Sequence, residues 1–346
     1  MSFYKKVILV SIMLSSISIA QKAELVKSEF IFQNPQFKSC HASTIVELGI
    51  NKLMAAWFGG SYEGANDVCI WTSICEKSVW EKPIKTANGV IDSVTQFLCW
   101  NSVLFKSING KLFLFYKVGK NPREWWGVVK TSNDNGQTWS GGMRLSDGFL
   151  GPIKDKPIQL KSGEILCPSS VERTSGKGYR WTVHLEITNE HLDTWRKVLI
   201  DTSSEFNVIQ PTILQFADGR LEMLCRSQEN IIVETSSSDN GKSWSKLTDT
   251  NLPNPNSGID AVTLSNGLQV LVFNLMYHGK EWVEGRNVLI VVISKDGEDW
   301  TDIYTLKNEK KGEFSYPAVI QTSDEFVHIT YTYNRKNIKH VVLSIE

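Results

Sequence analysis

The sequence has no excess of charge and no cysteine pattern typical of a metal site. Its 346 residues include 37 basic and 37 acidic side chains, so the formal net charge is zero. Partners such as nucleic acid or a membrane surface normally require a basic excess on one face, and this balance supports neither. The six cysteines form no CxxC pair and no cluster with histidine, which argues against a structural zinc ion.

The cysteines fit a hydrophobic core better than a disulfide framework. Four of them lie in or beside apolar runs and are predicted to be buried free thiols: Cys40, Cys99, Cys167 and Cys225. Cys69 and Cys75 could pair only if the chain bends between them, and the sequence leaves their state open.

Long apolar runs are also missing, apart from one near the N-terminus. Lys5 and Lys6 precede an apolar run at residues 7–19, and the small residues around Ala20 suit a signal peptidase. The run is much shorter than the roughly 20 residues that a membrane-spanning helix needs. We therefore expect residues 1–20 to be a removed export signal and the protein to be secreted or periplasmic, without a membrane span.

An internal repeat with a period of roughly 50–60 residues dominates the rest of the chain and indicates propeller blades or a related array. Each copy begins with two hydrophobic strands joined by a polar turn. The six copies lie at 41–58, 101–117, 156–170, 210–226, 260–274 and 316–333. A third strand, a polar turn and a tryptophan follow the first five copies, ending at Trp80, Trp139, Trp195, Trp244 and Trp300. Four short strands per copy predict an all-β, six-bladed β-propeller with four-stranded antiparallel blades.

The last copy lacks the turn with tryptophan. Residues 23–32 alternate in the manner of a strand and could supply the missing outer strand of that blade. Closing the ring with both ends of the chain would remove an open sheet edge. We expect residues 21–346 to form a single domain.

The polar turns carry a more specific pattern. SNDNGQTWS (132–140) and SSDNGKSWS (237–245) have the form S-x-D-x-G-x-x-W, and SKDGEDW (294–300) is a shortened version. This Asp box resembles that of the sialidase superfamily, whose BNR repeats build six-bladed propellers. The resemblance implies that the Asp and Gly form a tight turn and the Trp packs between strands, away from the substrate.

In a propeller, the residues that open the inner strands meet at one mouth of the central channel, where ligand sites form. Here all six openers are polar: His41, Asn101, Lys156, Gln210, Asp260 and Tyr316. Polar groups crowded into a channel need water or a ligand to satisfy them. We therefore predict a binding site at that mouth.

The resemblance to sialidases gives a role to one of these residues, Tyr316, and to two arginines. Arg226, in CRS, matches the second of three arginines that bind the substrate carboxylate in that family, and Arg286 matches the third. Tyr316, in FSYPAVIQ, matches the nucleophilic tyrosine. A tyrosine suits a reacting carbon that already bears a carboxylate, because a neutral phenol avoids charge repulsion.

Three positions depart from the family pattern. His41 stands where the family has the arginine of an R-I-P motif, and Gln210 stands where it has the glutamate that assists the tyrosine. The acid/base aspartate corresponds to the loop FGGSYEGANDVCIW, in which Glu63 or Asp67 could serve. Nearby Trp57, Phe58 or Trp71 would raise the pKa of such a carboxyl group.

Neighbouring charges complete the expected site. Lys154 or Lys156 could join the arginines in binding a carboxylate. Because Gln210 cannot take a proton, Asp260 or Glu313 would have to act as the base for Tyr316.

These residues predict an exo-acting glycoside hydrolase that removes a terminal acidic sugar, sialic or uronic acid, from glycans. One alternative is β-elimination from a uronide, with His41 or Tyr316 abstracting the C5 proton while Lys156 and Gln210 neutralise the carboxylate. Another is a non-catalytic glycan-binding propeller with aromatic platforms at Trp125, Trp126 and Trp282. No nucleotide, redox cofactor or catalytic metal is indicated, and a structural calcium ion is compatible with the sequence.

Overall fold

The computed structural model describes residues 22–176, 178–281 and 283–345. The segment expected to be an export signal, residues 1–20, and Trp282 lie outside the described residues. The described chain contains 27 strands, numbered β1 to β27. We find no helix in it that could span a membrane. The fold is an all-β, six-bladed propeller, as the repeat predicts.

The first three blades follow each other along the chain, each with its inner strand first. Blade 1 contains β2 (Ser39–Gly49), β3 (Lys52–Gly60), β4 (Cys69–Glu76) and an outer edge in two pieces, β5 (Val79–Trp80) and β6 (Ile84–Ala87), both paired with β4. A small hairpin of β7 (Gly89–Val90) and β8 (Gln96–Phe97) follows. Blade 2 contains β9 (Cys99–Lys106), β10 (Leu112–Val118), β11 (Trp126–Ser132) and β12 (Met143–Arg144). Blade 3 contains β13 (Ile158–Gln159), β14 (Ile165–Ser175), β15 (Gly178–Thr188) and β16 (Arg196–Leu199).

The last three blades repeat this order, and the first strand of the chain completes the ring. Blade 4 contains β17 (Val208–Gln215), β18 (Leu221–Ser227), β19 (Ile231–Ser237) and β20 (Thr248–Pro253). Blade 5 contains β21 (Asp260–Thr263), β22 (Gln269–Phe273), β23 (Val288–Ser294) and β24 (Thr301–Asn308). Blade 6 contains β25 (Phe314–Gln321), β26 (Val327–Tyr333), β27 (Asn337–Ile345) and, as its outer strand, β1 (Ala23–Phe30).

Blade 6 therefore combines both ends of the described chain, as the alternation of residues 23–32 predicts. β1 pairs antiparallel with β27 over its whole length. The inner strand β25 also contacts β2 of blade 1. These contacts leave no open edge between the first and the last blade.

Apolar clusters lie between successive blades, because each sheet is covered on both faces by its neighbours. Met54 and Leu112 belong to the cluster between blades 1 and 2, and Val270 and Val327 belong to that between blades 5 and 6. All seven residues of β10 are buried, as expected for a strand with no solvent-facing side. All six cysteines are free and buried, so the predicted buried thiols are confirmed.

The Asp boxes form the tight turns that their sequences predict. In the first, the Oδ1 of Asp134 accepts hydrogen bonds from the Ser132 hydroxyl at 2.7 Å and the Thr138 amide at 2.9 Å. Gly136 has a φ of 80°, a conformation that favours glycine. Trp139 then packs against the core between blades 1 and 2. This turn follows the third strand of its blade, so it lies at the opposite end of the sheet from the start of the inner strand.

Candidate active site

Tyr316 lies at the start of the inner strand of blade 6, on a β-bulge. The pairing of β25 with β26 shifts register between Ser315 and Ala318, which leaves Tyr316 and Pro317 as the bulged residues. The φ of Tyr316 is 53°, a strained value for a residue with a side chain. Gln210 lies at a corresponding bulge in β17 and has the same φ of 53°. Strained bulges of this kind re-aim side chains, here at the start of the inner strands.

Arg226 joins these two bulges. Its Nη1 donates hydrogen bonds to the Tyr316 hydroxyl at 2.5 Å and to Gln210 Oε1 at 3.1 Å, and its Nε donates to Asn256 Oδ1 at 2.9 Å. Arg226 is the penultimate residue of β18, which brings it beside the start of β17. The sequence thus correctly groups Tyr316, Gln210 and Arg226 at one mouth.

Arg286 lies in the turn before β23 and joins the same cluster. Its guanidinium carbon is 5.8 Å from the Tyr316 ring, and that of Arg226 is 5.6 Å from it. Arg286 also donates to Glu313 Oε1 at 3.1 Å and to the Asn256 carbonyl at 3.2 Å. Two buried arginines beside one phenol form a site suited to an anion.

Sequence reasoning missed a third arginine, Arg335, in the turn between β26 and β27. Its Nε donates to Glu313 Oε2 at 2.7 Å, and its other nitrogens reach Glu313 and Glu63. The Arg335 carbonyl accepts the amide of Cys40, which lies next to His41. Arg335 of blade 6 therefore lies beside the start of β2 in blade 1, where His41 stands.

Glu313 is the carboxylate that holds two of these arginines together. Burial would raise the pKa of Glu313, but the hydrogen bonds and charges of Arg335 and Arg286, with a bond from the Ser315 hydroxyl, hold it below its ordinary value. Glu313 is therefore ionised and fully engaged. This does not suit the role of a base for Tyr316 that the sequence suggested.

His41 is buried against Tyr316, with ring centroids 4.1 Å apart. Neither ring nitrogen has a hydrogen-bond partner among the described residues. Burial, together with the charges of Arg335, Arg286 and Arg226, holds the pKa of His41 well below its ordinary value. His41 therefore presents a neutral imidazole to the site.

Lys154 lies beneath the Tyr316 ring, 6.0 Å from its centre. Its ammonium donates to Asp155 Oδ1, to the carbonyl of Ile259 and to that of Pro317, each at 2.6 Å. These three bonds use all its donors and tie blades 5 and 6 to the segment that enters blade 3. Gly258 makes room for this packing, because a Cβ there would lie 3.0 Å from the Lys154 side chain.

Lys156 and Asp260 pair with each other and not with Tyr316. Lys156 Nζ lies 2.9 Å from Asp260 Oδ1 and also donates to the Ala261 carbonyl. Asp260 further accepts the Thr212 hydroxyl at 2.9 Å and the Val319 amide at 2.8 Å. This buried carboxylate therefore links blades 3, 4, 5 and 6, and these contacts correct the expectation that Asp260 would assist Tyr316.

The two candidate acids of the blade 1 loop have different surroundings. Glu63 is exposed and forms an ion pair with Arg335 at the edge of the site. Asp67 accepts hydrogen bonds from the amide and hydroxyl of Ser61. These bonds lower the pKa of Asp67, so the expectation that neighbouring tryptophans would raise it is wrong.

The remaining predicted residues lie around this cluster. Asn101 is buried in β9, at the point where the pairing of β9 with β10 shifts register. Trp125 packs edge-on against Trp100, with ring centroids 6.0 Å apart. Trp181, which the sequence did not single out, lies in β15 with its ring 5.7 Å from the Arg226 guanidinium carbon.

Residues 51–329 match the family model described as the BNR repeat-like domain. The match covers most of the chain. This protein belongs to the BNR repeat-like family. A curated relative of this BNR repeat-like protein is an anhydrosialidase from Macrobdella decora, 24% identical over 231 residues. That alignment covers 59% of this chain but only 29% of the relative.

Solved structures of other proteins have the same fold. A protein of unknown function from Dyadobacter fermentans superimposes with a TM-score of 0.76 at 12% identity, covering 94% of this chain and all of the other. The NanB sialidase of Streptococcus pneumoniae superimposes with a TM-score of 0.71 at 13% identity, covering 91% of this chain and 70% of the sialidase. The protein is thus a BNR repeat-like propeller with the fold of a solved sialidase, as the Asp boxes predict.

Proposed function

We propose that this protein is an exo-acting glycoside hydrolase that removes a terminal acidic sugar, sialic or uronic acid, from glycans. The observation that carries the proposal is the contact of Arg226 with the Tyr316 hydroxyl at the channel mouth, with Arg286 beside the same ring. The names of two similar proteins, an anhydrosialidase and a sialidase, support the same class of reaction. Export follows only from residues 1–20 and remains a prediction.

The charges of the site support an acidic substrate. Glu313 and Glu63 both pair with Arg335, and Glu313 also reaches Arg286. No ion pair of Arg226 with a carboxylate is found among the described residues; its side-chain hydrogen bonds there go to the neutral Gln210, Asn256 and Tyr316. A substrate carboxylate beside Tyr316 would therefore supply the anion that Arg226 lacks, through a charge-assisted bidentate contact.

The same contact suits Tyr316 as a nucleophile. Once the phenol has lost its proton to solvent, its oxygen attacks the anomeric carbon and the bond to the glycosidic oxygen breaks. Water then hydrolyses the covalent glycosyl intermediate. The Arg226 donor, 2.5 Å from that oxygen, would stabilise negative charge that develops on it before attack. Gln210 cannot accept the proton, and its Oε1 instead fixes the orientation of Arg226. The proposed reaction uses the chain's own side chains and needs no cofactor.

Incubation of the purified protein with a panel of sialosides and uronides tests this proposal. Released sugar and absorbance near 230 nm would be followed in parallel. The proposal predicts release of the acidic sugar without a rise in absorbance. A rise at 230 nm would instead identify β-elimination from a uronide, since only that reaction makes an unsaturated product. Binding of an acidic sugar without any product would identify a glycan-binding propeller.

A further inference from the structure

A cavity lies between blades 2 and 3. It lies between the turn at residues 121–126, which joins β10 to β11, and the long hairpin of β14 and β15. Its volume is about 330 Å³, within the range of small-molecule sites. Trp125, Trp126, Arg123 and Glu172 are among the residues that line it. Aromatic and polar side chains of this kind suit the face and hydroxyl groups of a sugar.

Glu172 lies at the border between this cavity and the Tyr316 site. It pairs directly with Trp181 across the β14–β15 hairpin. Directly opposed residues of an antiparallel pair point to the same face of a sheet, so Glu172 and Trp181 share one face. Because the Trp181 ring lies 5.7 Å from the Arg226 guanidinium carbon, that face is turned to the sugar site.

Glu172 also differs from the other carboxylates near the site. Glu63 and Glu313 form ion pairs, and Asp67 is held by Ser61. Across the described residues, Glu172 forms no ion pair within 4.0 Å. Burial raises the pKa of Glu172, and the charges of Arg226 and Arg123 oppose that rise only in part. A carboxyl group in these surroundings keeps its proton to higher pH than a solvated one.

We propose that the cavity receives the leaving group of the glycoside and that Glu172 donates a proton to the glycosidic oxygen. The inference rests on the hydrolytic function proposed above. A proton donor must lie between the terminal sugar and the leaving group. Glu172 meets this requirement in that it lines the cavity and shares a sheet face with Trp181, whose ring lies near Arg226. The Tyr316 phenol first gives its proton to solvent, and Arg226 stabilises the phenolate. As the bond from the anomeric carbon to the glycosidic oxygen breaks, the phenolate oxygen bonds to that carbon and the Glu172 proton moves to the leaving oxygen. Water then gives its hydroxyl to the anomeric carbon and its proton to the Glu172 carboxylate, which releases Tyr316.

Two substrates with the same acidic sugar test the proposal. A 4-methylumbelliferyl sialoside has a leaving group that needs little protonation, whereas sialyllactose has one that needs it fully. For Glu172→Gln we expect kcat/KM, which reports the bond-breaking step, to fall about 100-fold or more on sialyllactose, the usual contribution of general acid catalysis, and only a few-fold on the aryl substrate. The retained aryl activity also shows that the variant is folded. If wild type accepts a uronide instead, the aryl and disaccharide uronides replace this pair.

Glu298→Gln is the control, because Glu298 is an exposed carboxylate in the Asp-box turn of blade 5, at the end of the propeller away from the site. It should leave both rates unchanged.

The pH profile gives a second readout: the decline of kcat at high pH on sialyllactose should be present in wild type and absent in Glu172→Gln. Equal rates for Glu172→Gln and wild type on sialyllactose would overturn the proposal. The proposal would also be overturned if Glu63→Gln, and not Glu172→Gln, lost its activity on sialyllactose while keeping its activity on the aryl substrate. A wild-type protein that hydrolyses neither substrate would count against the proposed function itself.

Discussion

The hydroxyl of Tyr316 lies 2.5 Å from Nη1 of Arg226, although the two residues are 90 positions apart in the chain. Tyr316 opens blade 6 and Arg226 ends the second strand of blade 4, so only the ring of blades brings them together. The contact leaves the arginine and the phenol on one wall of the channel mouth. The proposed chemistry depends on this pair.

Arg335 should stabilise the fold as well as complete the site. Arg335→Met removes the bidentate partner of Glu313, whose side chain is only 9% exposed. Breaking an ion pair at a buried carboxylate should lower the free energy of unfolding by roughly 3 kcal/mol. Arg196→Met, which breaks an exposed ion pair with Glu164, should cost at most about 1 kcal/mol. Urea denaturation of both variants measures the difference, and equal losses would contradict the structural role of Arg335.

Lys154 should be needed for stability, because its removal leaves the buried Asp155 carboxylate without its ion-pair partner. Both side chains are almost wholly buried, and their ion pair is 2.6 Å long. Lys154→Met should lower the free energy of unfolding by about 3–5 kcal/mol. Adding Asp155→Asn should recover part of that loss, because the buried charge is then gone. Exposed Lys242→Met is the control and should change stability by less than about 0.5 kcal/mol. A double variant no more stable than Lys154→Met would argue against this explanation.

His41 should remain neutral through the whole physiological pH range. Burial and the surrounding cations hold its pKa well below 6.5. A ¹⁵N NMR titration, with the His41 signals assigned from a His41→Gln variant, should show an uncharged imidazole at pH values near 6. Free histidine in the buffer, with a pKa of about 6.5, is the internal reference. An imidazole that protonates together with that reference would show that burial and the charges of Arg335, Arg286, Arg226 and Lys154 do not act on His41 as described.

Acid should weaken the contact that closes the ring. Glu29 of β1 accepts hydrogen bonds from His340 of β27 and from Trp80. Burial would raise the pKa of Glu29, but the bonds from His340 and Lys27 outweigh it and lower the pKa to about 2. Burial lowers the pKa of His328, which contacts His340, to about 4.

Both shifts act in the same direction on stability. The unfolded chain binds more protons than the folded one between pH 6.5 and 4 at His328, and between pH 4.5 and 2 at Glu29. The free energy of unfolding should therefore be greatest above pH 6.5 and should fall in these two windows as acid is added. Urea midpoints measured from pH 7.5 to 4 should show a smaller decline for His328→Gln than for wild type. Identical declines would rule out the contribution of His328.

The repeat made the fold predictable, because each blade has the same succession of strands, and in blades 2, 4 and 5 an Asp box fixes the turn after the third strand. Tyr316, Arg226 and Arg286 could be found because short motifs mark them. Arg335 and Glu172 could not, because they carry no motif. Strand direction offers the missing signal: the turn from second to third strand lies at the same end as the start of the first. Residues in those turns, such as Arg335, therefore reach the mouth.

Other details depend on contacts that no sequence pattern records. From the sequence, Lys154 was expected to bind a substrate carboxylate. In the structure its ammonium instead donates to three acceptors from three segments of the chain. Asp260 seemed a candidate base, but Lys156, Thr212 and Val319 surround its carboxylate. These partners lie tens of residues away and meet only in the closed ring.

Comparison of wild type with Tyr316→Phe on the acidic glycoside that wild type hydrolyses tests the central claim most directly. Removal of the hydroxyl should lower kcat by about a thousandfold or more, because the bond-forming atom is lost. Calorimetry should find binding of the released acidic sugar within a few-fold of wild type, since Arg226 and Arg286 remain. Tyr304→Phe, in the outer strand of blade 5, should be fully active. Undiminished turnover by Tyr316→Phe would contradict the account.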